Sequence, residues 1–473
     1  MKVLLIKPLY RFASNHPVQF SGSEKALPLS LAYLAAALEK EGHVIRVLDY
    51  QIETPPLRDV LSEFQPGLVG VTSYSKEFDH AKEIMREIKV FRPHLPVVVG
   101  GPHINAYREN IFSQSADIDY AIVNEGEETF LELLKRLDGG QDVAGVRGLI
   151  YRDGSGQIHF NGPRPFIKDI DTIPFMALHH FQVKKYYPTA GTFRRLPSVT
   201  MLTSRGCPYR CVFCNTDLFG KNVRLRSAEN VLAEIESLVK KYGAREINFC
   251  DETITINRAR MIKICEGLIK RNLRIGWKCS TRVDLVDTEL LKLMKRSGCF
   301  YIGFGAESGV QATLDRLKKG ITLDQTRQAF AECKKIGIDT MAYFMMNVPG
   351  ETIEDIETSI RFSREIKPTF LNFELIKPYC GTELRQMIEG NPDLTINHAL
   401  WEKWESYSAG NHLFYVQKNV PESYLLDAYK RAVKDFYLRP GFILRALFKI
   451  RSLRQLVSYL QSFLNMLKVR LVR

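Results

Sequence analysis

The first 150 residues alternate between short, almost continuous apolar runs and longer segments with helical apolar spacing. The runs that predict strands are Val3–Ile6, Val44–Leu48, Leu68–Val71, Val97–Val99 and Tyr120–Val123. The segments that predict helices are Leu27–Glu39, Leu57–Phe64, Glu77–Phe91 and Glu128–Leu137. Strands that are apolar at nearly every position are typical of a parallel sheet covered by helices on both faces. The alternation therefore predicts a doubly wound, Rossmann-like α/β domain.

The composition is that of a large globular chain with a basic balance. The 473 residues suffice for two to three domains, and 45% hydrophobic with 25% charged residues excludes a disordered or collagen-like chain. The 66 Lys and Arg exceed the 53 Asp and Glu, which gives a net charge of +13 and favours an anionic partner. No run approaches the ~18 uninterrupted apolar residues of a spanning helix, and Val3–Ile6 is too short for a signal peptide. We therefore expect a cytoplasmic protein.

Small and polar residues gather where three of the predicted strands end. In an open parallel sheet, ligands bind at the carboxyl ends of the strands. No Gly-Xaa-Gly-Xaa-Xaa-Gly follows any strand, which disfavours a dinucleotide, and tight βα turns would use the same residue types. The candidate ligand residues are Thr72, Ser73, Tyr74, Gly100, Gly101, His103, Glu125, Gly126 and Glu127.

Three of the nine cysteines fall within eight residues, and none precedes them in the chain. Cys207, Cys211 and Cys214 follow the apolar run Val199–Leu202. Soft thiolates select zinc or iron–sulfur clusters. Structural zinc takes four ligands, usually as two separated pairs, so a compact trio favours a four-iron cluster with one iron that lacks a protein ligand. A zinc site that borrows a fourth residue is the alternative.

The chain after the cysteines alternates again and then changes character. Six β/α steps predict a partial or complete barrel, with Glu246–Phe249 and Tyr301–Phe304 among its strands and polar residues at the strand ends. We therefore divide the chain into an α/β domain (1–144), a connector (145–195), a barrel (196–390) and a helical region (391–473). The connector contains a hairpin signal around residues 153–156 and then several prolines.

The last segment of the chain is basic and amphipathic. Residues 439–473 contain eight Arg and Lys but no Asp or Glu, and leucines recur at helical spacing on one face. This pattern is typical of a helix that lies on a membrane surface, with packing on the barrel or in a protein groove as alternatives. Nucleic acid is disfavoured because an apolar stripe accompanies the basic residues.

The cysteine loop resembles that of the radical S-adenosylmethionine (SAM) enzymes. Further motifs resemble the cobalamin-binding subgroup, in which a Rossmann-like domain precedes the barrel. These motifs are Gly100-Gly101-Pro102-His103, Glu125-Gly126-Glu127, Ser280-Thr281-Arg282-Val283-Asp284, Gly305-Ala306-Glu307-Ser308-Gly309 and Cys380-Gly381-Thr382-Glu383. The resemblance runs from residue 1 to about residue 390.

The resemblance implies the cofactors and their sites. Cys207, Cys211 and Cys214 would hold a 4Fe-4S cluster whose open iron chelates SAM, and reduction would yield a 5′-deoxyadenosyl radical. An external reductant such as a flavodoxin or a ferredoxin would supply the electron. The nine candidate residues of the α/β domain would surround cobalamin. The SAM-binding candidates are Phe213, Ser280, Arg282 and Glu307.

The chain departs from the family pattern at three places. No Asp-Xaa-His-Xaa-Xaa-Gly motif occurs, so cobalt would lack that histidine, and we expect Tyr74 near its lower face unless the domain has lost the cofactor. Asp251 and Glu252 stand where many relatives carry a glycine-rich motif for the SAM amine, which leaves their role open. Cys380 replaces a common proline and is a candidate hydrogen-atom donor, or simply a tolerated small residue.

The resemblance favours a methyltransferase that acts on an unactivated carbon of a small or lipid-like substrate. The alternative is a non-methylating radical enzyme, such as an oxidative cyclase that resembles anaerobic magnesium-protoporphyrin ester cyclase. A zinc-stabilised protein without activity, bound to a membrane or a partner, is the third possibility. A methylthiotransferase acting on RNA is disfavoured because no cysteine precedes Cys207.

Overall fold

The computed structural model describes residues 1–9, 24–189, 191–402, 412–449 and 456. Short 3-10 turns join many of its elements. The strands are β1 Lys2–Lys7, β2 Val44–Asp49, β3 Leu68–Thr72, β4 Val97–Gly100, β5 Tyr120–Ile122, β6 Leu149–Arg152, β7 Ile158–Phe160, β8 Ser198–Met201, β9 Ser204–Arg205, β10 Arg224–Leu225, β11 Glu246–Phe249, β12 Gly276–Thr281, β13 Cys299–Glu307, β14 Asp339–Met346, β15 Phe370–Leu375, β16 Leu394–Ile396 and β17 Tyr415–Gln417. The α-helices are α1 Leu29–Lys40, α2 Leu57–Phe64, α3 Phe78–Phe91, α4 Pro102–Tyr107, α5 Ile111–Gln114, α6 Glu127–Asp138, α7 Ala228–Tyr242, α8 Arg258–Lys270, α9 Thr288–Arg296, α10 Gln311–Arg316, α11 Leu323–Ile336, α12 Ile353–Glu365, α13 Glu383–Glu389, α14 His398–Glu402, α15 Glu422–Tyr437 and α16 Pro440–Lys449.

The N-terminal sheet has seven strands in the order β2-β1-β3-β4-β5-β6-β7. The first five strands of this order are parallel, which confirms the predicted doubly wound fold. They are buried at almost every position because helices cover both faces. The direction of strand order reverses between β1 and β3. A crevice outside the carboxyl ends of these two strands is the expected binding position in such a sheet.

The predicted domain boundary at residue 144 falls inside this sheet. The hairpin β6–β7 forms around residues 153–156 as predicted, but β6 pairs antiparallel with β5 and so extends the sheet beyond the boundary. The hairpin signal in the sequence is local, and it carries no information on which earlier strand the hairpin will join. The connector therefore begins after β7, near residue 161.

The second sheet is a partial barrel of six parallel strands in the order β8-β11-β12-β13-β14-β15. It confirms the predicted (β/α)6 arrangement, and it stays open because β8 and β15 do not pair with each other. One face is apolar and packs in a single core with the helices that join the strands; Phe304 and Phe344 belong to it. On the opposite face, Ser280, Tyr343 and Glu374 are exposed.

The C-terminal region contains a small sheet in addition to the predicted helices. Strands β16 and β17 pair antiparallel, so the prediction of a purely helical region is wrong there. Helix α15 covers the free edge of the barrel at β15, where the Tyr437 hydroxyl donates to the Leu371 carbonyl at 2.6 Å and accepts from its N–H at 3.1 Å. Most of the predicted basic stripe lies outside the described residues. Within the described part of the chain, no helix is long and apolar enough to cross a membrane.

Replacing Tyr437 by Phe removes both hydrogen bonds to the edge strand while keeping the buried ring. We expect the free energy of unfolding, measured with urea, to fall by about 1–2 kcal/mol because the Leu371 carbonyl and N–H stay buried without a partner. Tyr424→Phe on the same helix is the matched control. Its hydroxyl contacts Glu357 at a half-buried position that water can reach, so the loss should be smaller. An equal loss in both variants would contradict this account of the edge.

Candidate active site

The three cysteines lie on one loop that leaves the carboxyl end of β8 and passes through β9. Cys207 and Cys211 are half-buried and Cys214 is exposed. Burial and the neighbouring thiols raise the pKa of Cys211, and they raise the pKa of Cys214 to about 11. Thiols in such surroundings become thiolates when a cationic centre binds them. In the described part of the chain, the trio of ligand atoms that lie within 4.8 Å of one another belongs to Glu39, His179 and His180 and not to the cysteines. Three cysteines on one loop, without a second pair, fit a four-iron cluster with one open iron better than a structural zinc ion.

Asp251 fixes the start of the cysteine loop from the neighbouring strand β11. One carboxylate oxygen accepts from the Thr203 N–H and the Thr203 hydroxyl, both at 2.9 Å, and also from the Ser204 hydroxyl. The side chain is buried, and this set of bonds holds the loop through one of its two oxygens. The sequence left the role of Asp251 open because its partners lie 48 residues earlier.

Gly206 lets the loop turn directly before the first cysteine. Its φ is +91°, a region that side chains rarely adopt. A Cβ atom there would lie 2.5 Å from the Asn222 carbonyl oxygen and 2.9 Å from that of Gly220. The Cys207 N–H donates to the same Gly220 carbonyl at 3.2 Å. The backbone of the loop therefore closes on itself only because residue 206 has no side chain.

Two of the SAM-binding candidates meet at a buried lysine. Glu307 ends β13 with φ +62°, and the Lys319 ammonium donates to its carboxylate at 2.7 Å. The same ammonium lies 5.9 Å from the centre of the Phe213 ring. Burial lowers the pKa of Lys319, but Glu307 and the Cys211 thiol outweigh it, and the pKa is raised overall. The sequence missed Lys319 because no motif singles it out from the adjacent Lys318.

Ser280 and Arg282, the other two SAM-binding candidates, lie at the carboxyl end of β12 and directly after it. The Arg282 guanidinium stacks on the Tyr209 ring at 3.6 Å and pairs with Asp284 through Nε at 2.9 Å and Nη2 at 3.0 Å. Asp284 thus occupies the two-pronged contact by which an arginine commonly holds a carboxylate. Among the described residues, the third nitrogen, Nη1, is buried without a hydrogen-bond partner that meets the geometric limits. Ser280 is exposed on the open face of the barrel.

A cavity of about 260 Å³ lies between the α/β domain and the barrel. It opens at the carboxyl ends of β1, β3, β4 and β5, where the reversal of strand order placed the expected crevice. The barrel contributes the opposite wall through Leu202, Arg205, Leu218, Phe219 and Cys250. The predicted ligand residues that line the cavity are Thr72, Tyr74, Gly100, Gly101, Glu125, Gly126 and Glu127.

The paired glycines, Gly100 and Gly101, bring the backbone close to the cavity. A Cβ atom on Gly101, whose φ is +104°, would lie 2.9 Å from the Ser73 carbonyl oxygen. Tyr74 is 49% exposed and presents its ring to the same space. Glycine backbone, apolar side chains, the phenols of Tyr33 and Tyr74 and the paired charges of Arg205 and Glu125 line the cavity. This mixture fits part of a large ring with an apolar face and polar edges, such as that of cobalamin.

Ser73 and His103 do not line this cavity. The Ser73 hydroxyl donates to the Tyr74 carbonyl at 2.9 Å. The His103 ring is fully buried, with one nitrogen 3.0 Å from the Ser75 hydroxyl and the other 3.2 Å from the Gln114 amide oxygen. Burial lowers the pKa of His103 to about 4, so the ring is neutral at pH 7. His103 thus packs within the α/β domain, and its predicted role as a cobalamin ligand stays a prediction.

Glu125 and Glu127 join the two domains. The Arg205 guanidinium donates to Glu125 at 2.7 Å and to Glu127 at 2.6 Å, and Arg224 donates to both oxygens of Glu125 at 2.7 and 2.8 Å. Arg205 and the two carboxylates are buried to more than about 85%. The sequence placed both glutamates at the cavity, but their charges are already matched by arginines of the cysteine loop and of β10.

Cys380 lies next to the cysteine loop. The Asn215 side-chain amide donates to the Cys380 carbonyl at 3.0 Å, which holds the turn against that loop. The Cys380 sulfur is 3.0 Å from Nη1 of Arg385. The prediction that its thiol donates a hydrogen atom stays a prediction.

Gly206→Ala tests whether the closed loop is needed for cluster binding. The overlap with two carbonyl oxygens should displace the loop, so we expect most of the iron retained after anaerobic reconstitution to be lost. Gly42→Ala is the matched control, because Gly42 also has a positive φ but nothing within 4 Å of the added Cβ. That variant should lose only about 1–2 kcal/mol of stability and keep its iron. Equal iron in both variants would contradict the prediction.

Glu127→Gln tests the junction between the domains. Loss of one buried charge beside Arg205 should lower the free energy of unfolding by about 2–5 kcal/mol. Arg205 lowers the pKa of Glu127 although burial opposes it. A carboxyl group whose pKa is lowered in the folded state stabilises the fold at pH values above its pKa in the unfolded chain. The difference in free energy of unfolding between the variant and wild type should therefore shrink as the pH falls.

Glu128→Gln is the control for this substitution. The Glu128 carboxylate is 53% exposed and 3.8 Å from Arg164, so its loss should cost less than about 1 kcal/mol. Urea unfolding at pH 7 and pH 4 measures all three proteins. A pH-independent difference between Glu127→Gln and wild type would argue against an ionic origin.

Comparisons with known proteins agree with this architecture. Residues 201–363 match the radical SAM superfamily, and residues 22–134 match the B12 binding domain. An uncharacterized methyltransferase of Pyrococcus horikoshii is 32% identical over 454 residues, which cover 95% of each chain. The anaerobic magnesium-protoporphyrin IX monomethyl ester cyclase of Rubrivivax gelatinosus is 27% identical over 98% of this chain and 82% of its own.

A solved structure shows the same fold. The radical SAM methyltransferase TsrM from Kitasatospora setae, with cobalamin and a 4Fe-4S cluster bound, matches 93% of this chain and 89% of its own. The TM-score is 0.72 at 22% sequence identity. Because both family matches and a relative that is similar over nearly the full length agree with the cysteine loop and the two-domain cavity, the chain belongs to the cobalamin-binding radical SAM enzymes.

Proposed function

We propose that this enzyme is a cobalamin-dependent methyltransferase that acts on an unactivated carbon. The observation that carries the proposal is the shared cavity, whose walls come from the B12 binding domain on one side and from the cysteine loop and Cys250 on the other. When bound, the cluster, SAM and cobalamin would supply a 5′-deoxyadenosyl radical and a transferable methyl group. A common cavity would bring a methyl donor and a radical source to the same substrate.

The chain's own residues would bind and orient these groups. Cys207, Cys211 and Cys214 would hold the cluster. Nη1 of Arg282, for which the described residues offer no hydrogen-bond partner, and the Lys319–Glu307 pair follow neighbouring barrel strands and would contact SAM. A buried nitrogen without a partner is costly, which supports a ligand at that position.

We infer that substrate lies against the open face of the barrel. Lys278 on this face donates to the Thr192 hydroxyl at 2.9 Å, and burial lowers its pKa to about 8. Its ammonium is 5.9 Å from the Tyr301 ring centre. Tyr343 on the next strand is partly exposed. The ammonium of Lys278 and the phenol of Tyr343 on this face suit a substrate with an anionic group or a hydrogen-bond acceptor.

The relatives support methyl transfer as the reaction, but they do not identify the substrate. The cytidylyl-2-hydroxyethylphosphonate methyltransferase of Streptomyces wedmorensis is 28% identical over 76% of this chain and 77% of its own. Together with the Pyrococcus relative, its name favours the methyltransferase reading. These relatives have no common substrate by name, so the proposal for the substrate of this chain rests on its own residues.

Oxidative cyclisation without methyl transfer is the second candidate. The observation in its favour is the Rubrivivax ester cyclase, which is similar over 98% of this chain. Such an enzyme would use the same cysteines and the same SAM contacts. Only the fate of the methyl group of SAM distinguishes the two reactions.

Product counting separates the two candidates. The anaerobically reconstituted enzyme receives methyl-labelled SAM, cobalamin, a reduced flavodoxin and a small-molecule extract from anaerobic cells. We expect both S-adenosylhomocysteine and 5′-deoxyadenosine to form, together with a labelled product. A cyclase would form 5′-deoxyadenosine without S-adenosylhomocysteine or label in the product.

The Cys211→Ala variant is the control, because loss of one thiolate should abolish both SAM products. The Cys265→Ala variant controls for loss of a cysteine as such, since Cys265 is buried in the apolar core of the barrel. Formation of both products by Cys211→Ala would contradict the role of the cysteine loop.

A further inference from the structure

A second group of metal-ligating side chains lies where the connector crosses helix α1. Nε2 of His179 is 2.9 Å from Oε1 of Glu39, and Nε2 of His180 is 2.7 Å from the same oxygen. All three ligand atoms lie within 4.8 Å of one another. The two rings stand side by side with their centres 4.2 Å apart. Adjacent histidines thus direct the same ring nitrogen toward one carboxylate oxygen.

This convergence is the donor set of a divalent metal site. Two imidazole nitrogens and one carboxylate, with a fourth position left to water, form a common zinc site. Without a metal, each Nε2 must carry a proton to bond the shared oxygen. With a metal, each Nε2 would offer its lone pair instead, and the carboxylate would neutralise part of the ion's charge. The three side chains would need to move apart only slightly to admit an ion between their ligand atoms.

The surroundings hold the ligands in place and leave a path to solvent. The Ala177 N–H donates to the Ala32 carbonyl at 3.1 Å, so the connector is attached to α1 two residues before the first histidine. The Met176 N–H donates to Glu234 of α7 at 2.9 Å. A groove of about 390 Å³ runs between these elements, and the His179 side chain is 56% exposed.

The charges near the groove are mixed. Lys40 and Lys241 line it and oppose a cation, whereas Glu234 on the same wall is already paired with Arg226. The carboxylate of Glu39 and the two imidazoles converge on the position of the ion, whereas the two lysines are flexible and can extend into water.

We propose that Glu39, His179 and His180 bind one divalent transition metal ion of the zinc type. The ion joins the connector to the C-terminal end of α1. The other end of this helix lines the cavity between the domains through Ser30, Leu31 and Leu34. The site is thus separate from the cysteine loop and acts on the position of the helix that forms one cavity wall.

Zinc binding to the reconstituted holoenzyme tests the proposal, because the iron cluster then occupies the cysteines. Zn²⁺ is titrated against a chromophoric chelator, and zinc and iron are counted after gel filtration. We expect one zinc per chain in wild type, and affinity at least about tenfold lower in Glu39→Gln and in His180→Asn. Zinc should also raise the melting temperature of wild type and leave that of the two variants almost unchanged.

His159→Ala is the matched control. Its ring contacts a single carboxylate, that of Asp153 at 2.6 Å, on the exposed hairpin of the α/β domain. This variant should bind zinc as wild type does. Absence of zinc from wild type would overturn the proposal and leave the group as a hydrogen-bonded ion pair. Zinc that binds equally to wild type, Glu39→Gln and His180→Asn would place the ion elsewhere and overturn it as well. Glu39→Gln is nearly isosteric, so a defect in folding does not obscure the result.

Discussion

The bridge from Arg205 to Glu125 and Glu127 is the interaction on which the two-domain arrangement depends. Arg205 lies two residues before the first cysteine, and both glutamates flank the start of helix α6 in the other domain. Three charges at this depth are expensive to remove from water, and only close contacts with opposite charges offset that cost. Arg224 adds a second guanidinium, so the carboxylates are matched on two sides. Moving the α/β domain away would leave these charges without their partners. The bridge therefore holds the cavity wall against the cysteine loop.

A second buried polar group joins the domains beside the first. The Tyr33 hydroxyl of α1 lies 3.3 Å from both Glu234 and Arg226, and these two side chains form an ion pair of their own. Tyr33, Arg205 and Arg226 line one small pocket, so the two groups are neighbours in the junction. Buried hydrogen bonds and ion pairs at this junction hold the walls of the cavity together, and a reaction between groups carried by different domains needs them to stay in place. Asp251 serves the same purpose within the barrel by fixing the residues that lead into the cysteine loop.

The sequence predicted the elements of both domains because its signals are local. The strands β1 to β5 and the barrel strands β8, β11 and β13 lie within three residues of the predicted ends, since apolar runs and helical periodicity depend only on neighbouring residues. The hairpin β6–β7 formed where its turn residues indicated, yet its sheet partner was missed because pairing is a non-local choice. At the cavity, the strand-end rule located Thr72, Gly100 and Glu125 correctly. It could not tell that His103 turns inward, because burial of a polar ring depends on Ser75 and Gln114 in separate turns.

By itself, the sequence determined the class of fold, the order of the two domains and the three cysteines that share one loop. These properties follow from periodicity and from spacing along the chain. Only the tertiary structure decided which charges meet. Glu125 and Arg205 are 80 residues apart, Glu39 and His180 are 141 apart, and nothing in their local sequences links them. The same holds for Lys319, which contacts Glu307 because the loop after α10 returns to the carboxyl end of β13. Electrostatic partners are chosen by distance in space, and the chain's path through two packed sheets sets that distance.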